Sequence, residues 1–162
     1  MTSGADIRRG STSDLAALGR LGAMLVEEHY RFDDKRFLAP LADMPRLYGQ
    51  FLGSQMERPD KLVLVAQRDG TVVGYAFAGL EGNDYMALRG PAGVVYDLIV
   101  DPEHRRQGIG KMLLDAALAE LARRGAPRVV LLTAWENAGA QRLFEREGFR
   151  RTMVEMTREL GG

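Results

Sequence analysis

The apolar residues fall into two regimes that meet at Pro59-Asp60. Upstream, Leu15, Leu18, Leu21, Gly22 and Leu25 recur at helical spacing and predict a helix over 12–29. Ser11 is placed as its N-cap with Asp14 three residues on, a capping-box arrangement. A short strand is expected at 5–9 and a loop over 30–40. A second helix is expected over 43–56, with Leu47, Phe51 and Leu52 on its apolar face.

Downstream, the apolar residues gather in short continuous blocks. LVLVAQR (62–68) and TVVGYAFAG (71–79) are β-type runs separated by Asp69-Gly70, a strong short-range hairpin signal. EGNDYMALRGPAG (81–93) is a polar, glycine-rich loop, and VVYDLIV (94–100) reads as a strand in the middle of the sheet. Ile109, Met112, Leu113, Ala116, Ala117 and Leu121 predict a helix over 109–124. A strand over 128–133, a helix over 137–147 and a last strand over 149–157 follow. A strand, a helix of about 16 residues and another strand form a crossover unit, whose two strands run parallel. With the antiparallel hairpin before it, this predicts an α/β fold with a mixed sheet.

Composition narrows the function more than the fold. The 162 residues fit one domain spanning 1–162. Cysteine is absent, which removes disulfides, thiolate metal sites and a cysteine nucleophile, and no metal is expected. The 22 basic and 22 acidic residues cancel, whereas a general nucleic-acid binder carries a basic excess. No stretch approaches the ~20 apolar residues of a membrane span. The N-terminal residues lack the apolar run of a signal peptide, so the cytoplasm is the expected location.

The chemistry concentrates in EHRRQGIGKM, residues 103–112, between the third strong strand and its following helix. Free N–H groups collect at a helix start and the helix dipole favours anions there. Gly108 and Gly110 permit close backbone approach, and Arg105, Arg106 and Lys111 add positive charge. These features describe a phosphate cradle, or alternatively a glycine-softened turn with solvated arginines. A Walker loop is excluded because Met112 follows Lys111, and a dinucleotide fingerprint because Leu113 stands where its third glycine belongs.

Arg105-Arg106-Gln107-Gly108-Ile109-Gly110 resembles the Arg/Gln-x-x-Gly-x-Gly/Ala loop of the GNAT superfamily of N-acetyltransferases. The lead-in strand Leu98 to Glu103 and a second block, Asn137-Ala138, Ala140, Leu143-Phe144 and Gly148-Phe149, also match. The resemblance implies the GNAT fold: a mixed sheet, antiparallel at first, with a parallel pair splayed at the cofactor site and about four flanking helices. It implies acetyl-coenzyme A as cofactor, with its pyrophosphate on Gln107, Gly108, Gly110 and Lys111 beside Arg105 and Arg106. It implies backbone pairing of Leu98 and Val100 with the pantetheine arm, and the Leu98 N–H as donor to the thioester carbonyl. Asn137 either contacts the cofactor arm or is a plain N-cap.

For the base, Asp97 is the candidate, since an acid inside an apolar strand is costly unless paired or functional. The alternative is a salt-bridged surface carboxylate. Strand alternation places Tyr96 on the opposite face from Asp97. Phe144 stands where the family often has a tyrosine acid. Glu28, Tyr30, Glu81 and Tyr85 are candidates for the acceptor pocket, and the acids near residue 30 point to a cationic amine. His29 reads as a helix C-terminal cation. The expected activity is direct acetyl transfer to a primary amine, on a small molecule or a peptide. The alternatives are a non-catalytic acyl-coenzyme A-binding module and a protein-lysine or N-terminal acetyltransferase. A homodimer is the expected assembly.

Overall fold

In a computed structural model, which describes residues 4–161, the chain runs β1 (Asp6–Arg9), α1 (Leu15–Phe32), α2 (Met44–Met56), β2 (Lys61–Arg68), β3 (Thr71–Glu81), β4 (Ala92–Val100), α3 (Ile109–Arg123), β5 (Val129–Leu131) and α4 (Ala138–Arg146). The sheet has the order β1-β2-β3-β4-β5, antiparallel up to β4 and parallel between β4 and β5. The mixed α/β architecture is therefore the expected one. Among the described residues no helix is long and apolar enough to cross a membrane.

Alternation along β2 explains why its sequence is apolar throughout. Val63 and Val65 pack with Leu18, Leu21 and Leu52 beneath α1 and α2, while Leu62 and Leu64 pack with Leu113 beneath α3. Each such side chain, taken from water, contributes about 1.5–3 kcal/mol. Asp69 and Gly70 turn the β2–β3 hairpin with φ of 49° and 78°, so Arg68 and Thr71 pair directly. Positive φ at both turn residues matches the right-handed twist of the strands.

The two N-terminal helices cross at glycine. A methyl on Gly19 would lie 2.0 Å from the Pro45 carbonyl oxygen, and one on Gly22 would lie 2.1 Å from the Tyr48 ring. This close crossing turns Met44, Tyr48 and Leu52 inward on α2. Leu47 and Phe51, expected on the apolar face, instead stay 38% and 44% exposed.

The N-terminal boundary follows the capping expectation with one change. Residues Thr12–Asp14 form a 3-10 turn before α1, and α1 continues to Phe32, so Tyr30 lies in its last turn and not in a loop. Asp14 accepts the Ser11 N–H at 2.8 Å and a forked pair of bonds from Arg8 at 2.8 and 2.9 Å. The Arg8 guanidinium, helped by Ser11, outweighs the cost of burial and holds the Asp14 carboxyl down at about 2.

Two strands depart from expectation. β5 is three residues long, because only Val129–Leu131 keeps ladder contact with β4. Residues 150–159 form no strand: Met153, Val154 and Met156 are exposed, and no neighbouring edge pairs with their backbone. β-type composition needs a partner edge to become a strand.

A depressed carboxyl pKa stabilises the fold above the unfolded-state value and loses that effect as pH falls through the folded value. Asp14→Asn is therefore expected to cost about 2 kcal/mol near neutral pH. In urea unfolding, the gap between variant and wild type should narrow steadily from pH 5 toward pH 2. A gap that stays constant with pH would contradict the assignment.

Candidate active site

The site is made by an extra residue in β4 and a missing partner beside it. Phe77 pairs with Asp97, but its neighbour Ala78 pairs with Val95, leaving Tyr96 bulged out of register. The bulge switches the facing of the strand. Tyr96 packs with Phe77, ring centroids 4.7 Å apart, on the α1/α2 side, and Asp97 occupies that same side. The expectation that the two residues face opposite ways is thus overturned, because strict alternation does not survive a bulge.

β5 leaves β4 after the Val95–Leu131 pair. The Asp101 N–H bonds the Val73 carbonyl of β3 at 2.8 Å, so by alternation Ile99 and Asp97 also address β3. Leu98 and Val100 direct their N–H and C=O groups the other way, into the gap that β5 vacates. Arg105 Nε reaches the Val100 carbonyl there at 3.0 Å, consistent with that direction.

The gap opens into a cleft of about 490 Å³. Leu25 and His29 of α1, Arg36 and Phe37 of the following loop, Tyr48 of α2, and Val95 to Leu98 of β4 form one side. Leu131 to Thr133, Asn137, Ala140 and Phe144 form the other. Asp97 sits in this wall. Its Oδ2 accepts the Tyr48 hydroxyl at 2.6 Å and the Tyr75 hydroxyl at 2.9 Å, and no described residue donates to its Oδ1. Burial pushes the Asp97 carboxyl above the usual carboxylate range, against the two phenols, which favour the anion. Burial also raises both phenols, so Tyr48 and Tyr75 stay protonated as donors.

At the far end of β4 the chain turns through Pro102–His104 into α3. Gly108 caps α3 with φ of 78° and open space where a side chain would project. The first bond within α3 runs from the Met112 N–H to the Gly108 carbonyl at 3.0 Å. The N–H groups of Ile109, Gly110 and Lys111 precede it and are directed out of the helix start. Glycine at 108 is required by its backbone, since a Cβ there costs about 1–2 kcal/mol.

Residues 23–149 match the description Acetyltransferase (GNAT) family. The chain belongs to that family. It is 42% identical over 96 residues to a mycothiol acetyltransferase of Thermobispora bispora, covering 57% of this chain and 31% of that protein. It is 34% identical over 130 residues to the mycothiol acetyltransferase of Clavibacter michiganensis, covering 80% and 36%. The chain thus spans about a third of the length of these curated relatives. The fold agrees with a mutant of the BH1408 protein of Bacillus halodurans (TM-score 0.82, 21% identity, 96% and 99% of the two chains). It agrees also with AAC(6')-Iy in complex with a bisubstrate analogue, CoA-S-monomethyl-acetylneamine (TM-score 0.71, 21% identity, 97% and 99%).

Within this GNAT domain the expected residues separate into two groups. Asp97, Leu98 and Asn137 line the cleft. Asn137 is an N-cap whose Oδ1 accepts the Ala140 N–H at 3.1 Å. Val100, Gly108 and Gly110 lie along the gap and helix start: a methyl on Gly110 would meet Leu143 at 3.7 Å and Val100 at 3.8 Å. The basic side chains are largely engaged. Arg105 pairs with Glu28 at 3.1 Å, Lys111 with Asp115 at 2.6 Å, and Gln107 with Arg68. Arg106, at φ of 63°, has no ion pair among the described residues.

The acceptor candidates lie elsewhere. Glu28 is on Arg105, and Tyr30 borders a shallow surface hollow. Glu81 accepts from Tyr96 and, at 2.8 Å, from Arg89, while Tyr85 is 83% exposed. Sequence reading missed Arg36 and Tyr48 as wall residues, and His29, which reads from sequence only as a helix C-terminal cation, joins them in the wall. Tyr48 had a signal: it lies four residues before Leu52 and so shares its helix face. Arg36 had none, since its loop carries no periodicity.

Tyr48→Phe keeps the ring beside Gly22 and deletes the bond to Asp97. It is expected to cost about 1.5–3 kcal/mol, the range for a hydrogen bond to a charged group. Denaturant unfolding measures this, and a change below a few tenths would mean that water replaces the phenol without loss.

Proposed function

We propose that this GNAT domain is an acetyl-coenzyme A-dependent N-acetyltransferase acting by direct attack of a primary amine. The observation that carries the reading is the alignment of the Leu98 and Val100 backbone groups that β5 leaves unpaired with the N–H groups at the start of α3. Together they offer donors and acceptors to an extended arm that ends in phosphate, once Arg105 releases the Val100 carbonyl. Acetyl-coenzyme A, when bound, supplies the activated acetyl thioester. Gln107, Gly108, Gly110 and Lys111 would hold its phosphates by backbone N–H groups, with Arg106 adding a cationic side chain. Asn137 keeps its side-chain NH₂ group for the arm after its oxygen has capped α4.

The remaining chemistry belongs to the wall. The Leu98 N–H, fixed by the strand, stabilises charge growing on a carbonyl oxygen placed in the gap. Asp97 offers Oδ1 to the amine and takes its proton, helped by the raised pKa that burial gives it. Phe144 contributes packing and no proton, so a departing thiolate leaves without a tyrosine acid. A thiol pKa near 8.5 makes that departure feasible.

The acceptor is a small cationic amine. Glu28 and Glu81 are neutralised by Arg105 and Arg89, so Asp97 is the anion left to attract an ammonium group within the cleft. The relatives named mycothiol acetyltransferases and the neighbour holding an acetylneamine analogue support that substrate class.

The test is thiol release from acetyl-coenzyme A across a panel of small amines, comparing wild type with Asp97→Asn. The variant should lose about 10²-fold or more in kcat while its Kd for acetyl-coenzyme A is unchanged. In wild type the rate should fall on the acid side, as Asp97 becomes protonated. Equal turnover in the variant would remove Asp97 from the chemistry. A wild type that binds the thioester but acetylates no amine would favour a binding module.

A further inference from the structure

The proton that Asp97 takes from the amine has no exit of its own. Tyr48 and Tyr75 close off Oδ2, the α1/α2 core lies behind the carboxylate, and substrates fill the cleft in front during turnover. One histidine lines the same cleft. His29 Nδ1 lies 2.8 Å from the Leu25 carbonyl oxygen. A carbonyl only accepts, so Nδ1 carries the hydrogen, and the neutral ring has its lone pair at Nε2.

The ring is fixed as well as oriented. It stands edge-on to Phe32 and Phe37, with centroids 5.8 and 5.0 Å away. Phe37 belongs to the loop between α1 and α2, beside the 75%-exposed Leu38, so His29 connects the interior wall with the cleft's rim. It is also close enough for its charge to favour the Asp97 anion.

The other titratable and charged side chains of the cleft lining do not compete near neutral pH. Arg36 of the rim loop is paired with Glu155. Tyr48 of α2 and Tyr96 of β4 are raised by burial and keep their protons. Asp97 and His29 are the remaining ionisable side chains of the cleft lining.

We infer that His29 is a second proton-transfer residue of this site, passing the amine's proton from Asp97 to solvent at the rim; the inference rests on the acetyl-transfer reading above. One water of the cleft bridges the two groups: the Asp97 O–H bond breaks as that water takes the proton, and the water's own proton forms the N–H bond at Nε2, giving a carboxylate and an imidazolium. The imidazolium then gives the proton to water or a buffer base, and both groups return to their starting states.

His29→Gln in the full chain tests this. The expected result is a loss of about 10²-fold in kcat, an unchanged Kd for acetyl-coenzyme A, a melting midpoint lowered by no more than a few degrees through the lost ring contacts, and recovery of turnover on adding imidazole. A variant that turns over like wild type, or a loss that imidazole does not restore, overturns the role of His29 while leaving acetyl transfer intact. A loss in His29→Gln combined with full activity in Asp97→Asn overturns the relay and makes His29 the direct acceptor. If wild type releases no thiol with any amine, the relay falls together with the acetyl-transfer reading.

Discussion

A parallel strand pair that holds for three residues and then parts is the constraint from which the cleft follows. β4 and β5 stay paired from Gly93 to Val95, and beyond that point β4 keeps only its β3 neighbour. An unpaired strand edge in a folded protein is normally covered or blunted. Here it faces inward, flanked by Phe144 and Asn137 on one side and by α1 on the other. The Leu98 backbone groups and the Val100 N–H therefore stand ready for hydrogen bonding, with positions set by the sheet, while Arg105 covers the Val100 carbonyl. The bulge at Tyr96 falls at the same place and brings Tyr96 and Asp97 to one face.

The tolerance of a carboxylate in that strand depends on the far helices. Gly19 and Gly22 let α1 and α2 touch, and the contact places Tyr48 where its hydroxyl meets Asp97. Tyr75, fully buried in β3, supplies the second donor. Two phenols on one oxygen offset part of the desolvation cost of the anion, and burial still leaves the group easier to protonate than an exposed aspartate. Helix packing and site electrostatics are thus one arrangement, which couples the close helix crossing to the chemistry of a residue on another element.

Much of this was legible in the sequence. Asp69-Gly70 specified its turn because few residues adopt positive φ twice in succession. Gly108 marked the α3 start because its left-handed backbone favours glycine. The bulge was not legible: in VVYDLIV every residue but the aspartate favours a strand, so no period reveals the extra one. The last strand was misread because Met153, Val154 and Met156 have strand composition but no partner edge. The place of His29 and Arg36 in the wall was not legible, because the wall is assembled from α1, its following loop, α2 and β4, and only the fold brings these together.

The most direct measurement is thermal unfolding with saturating acetyl-coenzyme A, alongside free coenzyme A and ATP. A ligand present at about a hundred times its Kd stabilises by about 2.7 kcal/mol, a shift of several degrees in a domain of this size. The strand gap and helix start together predict a clear upward shift with both coenzyme A species and little with ATP. No shift with either coenzyme A species would contradict the reading of β4 and α3 as a cofactor groove.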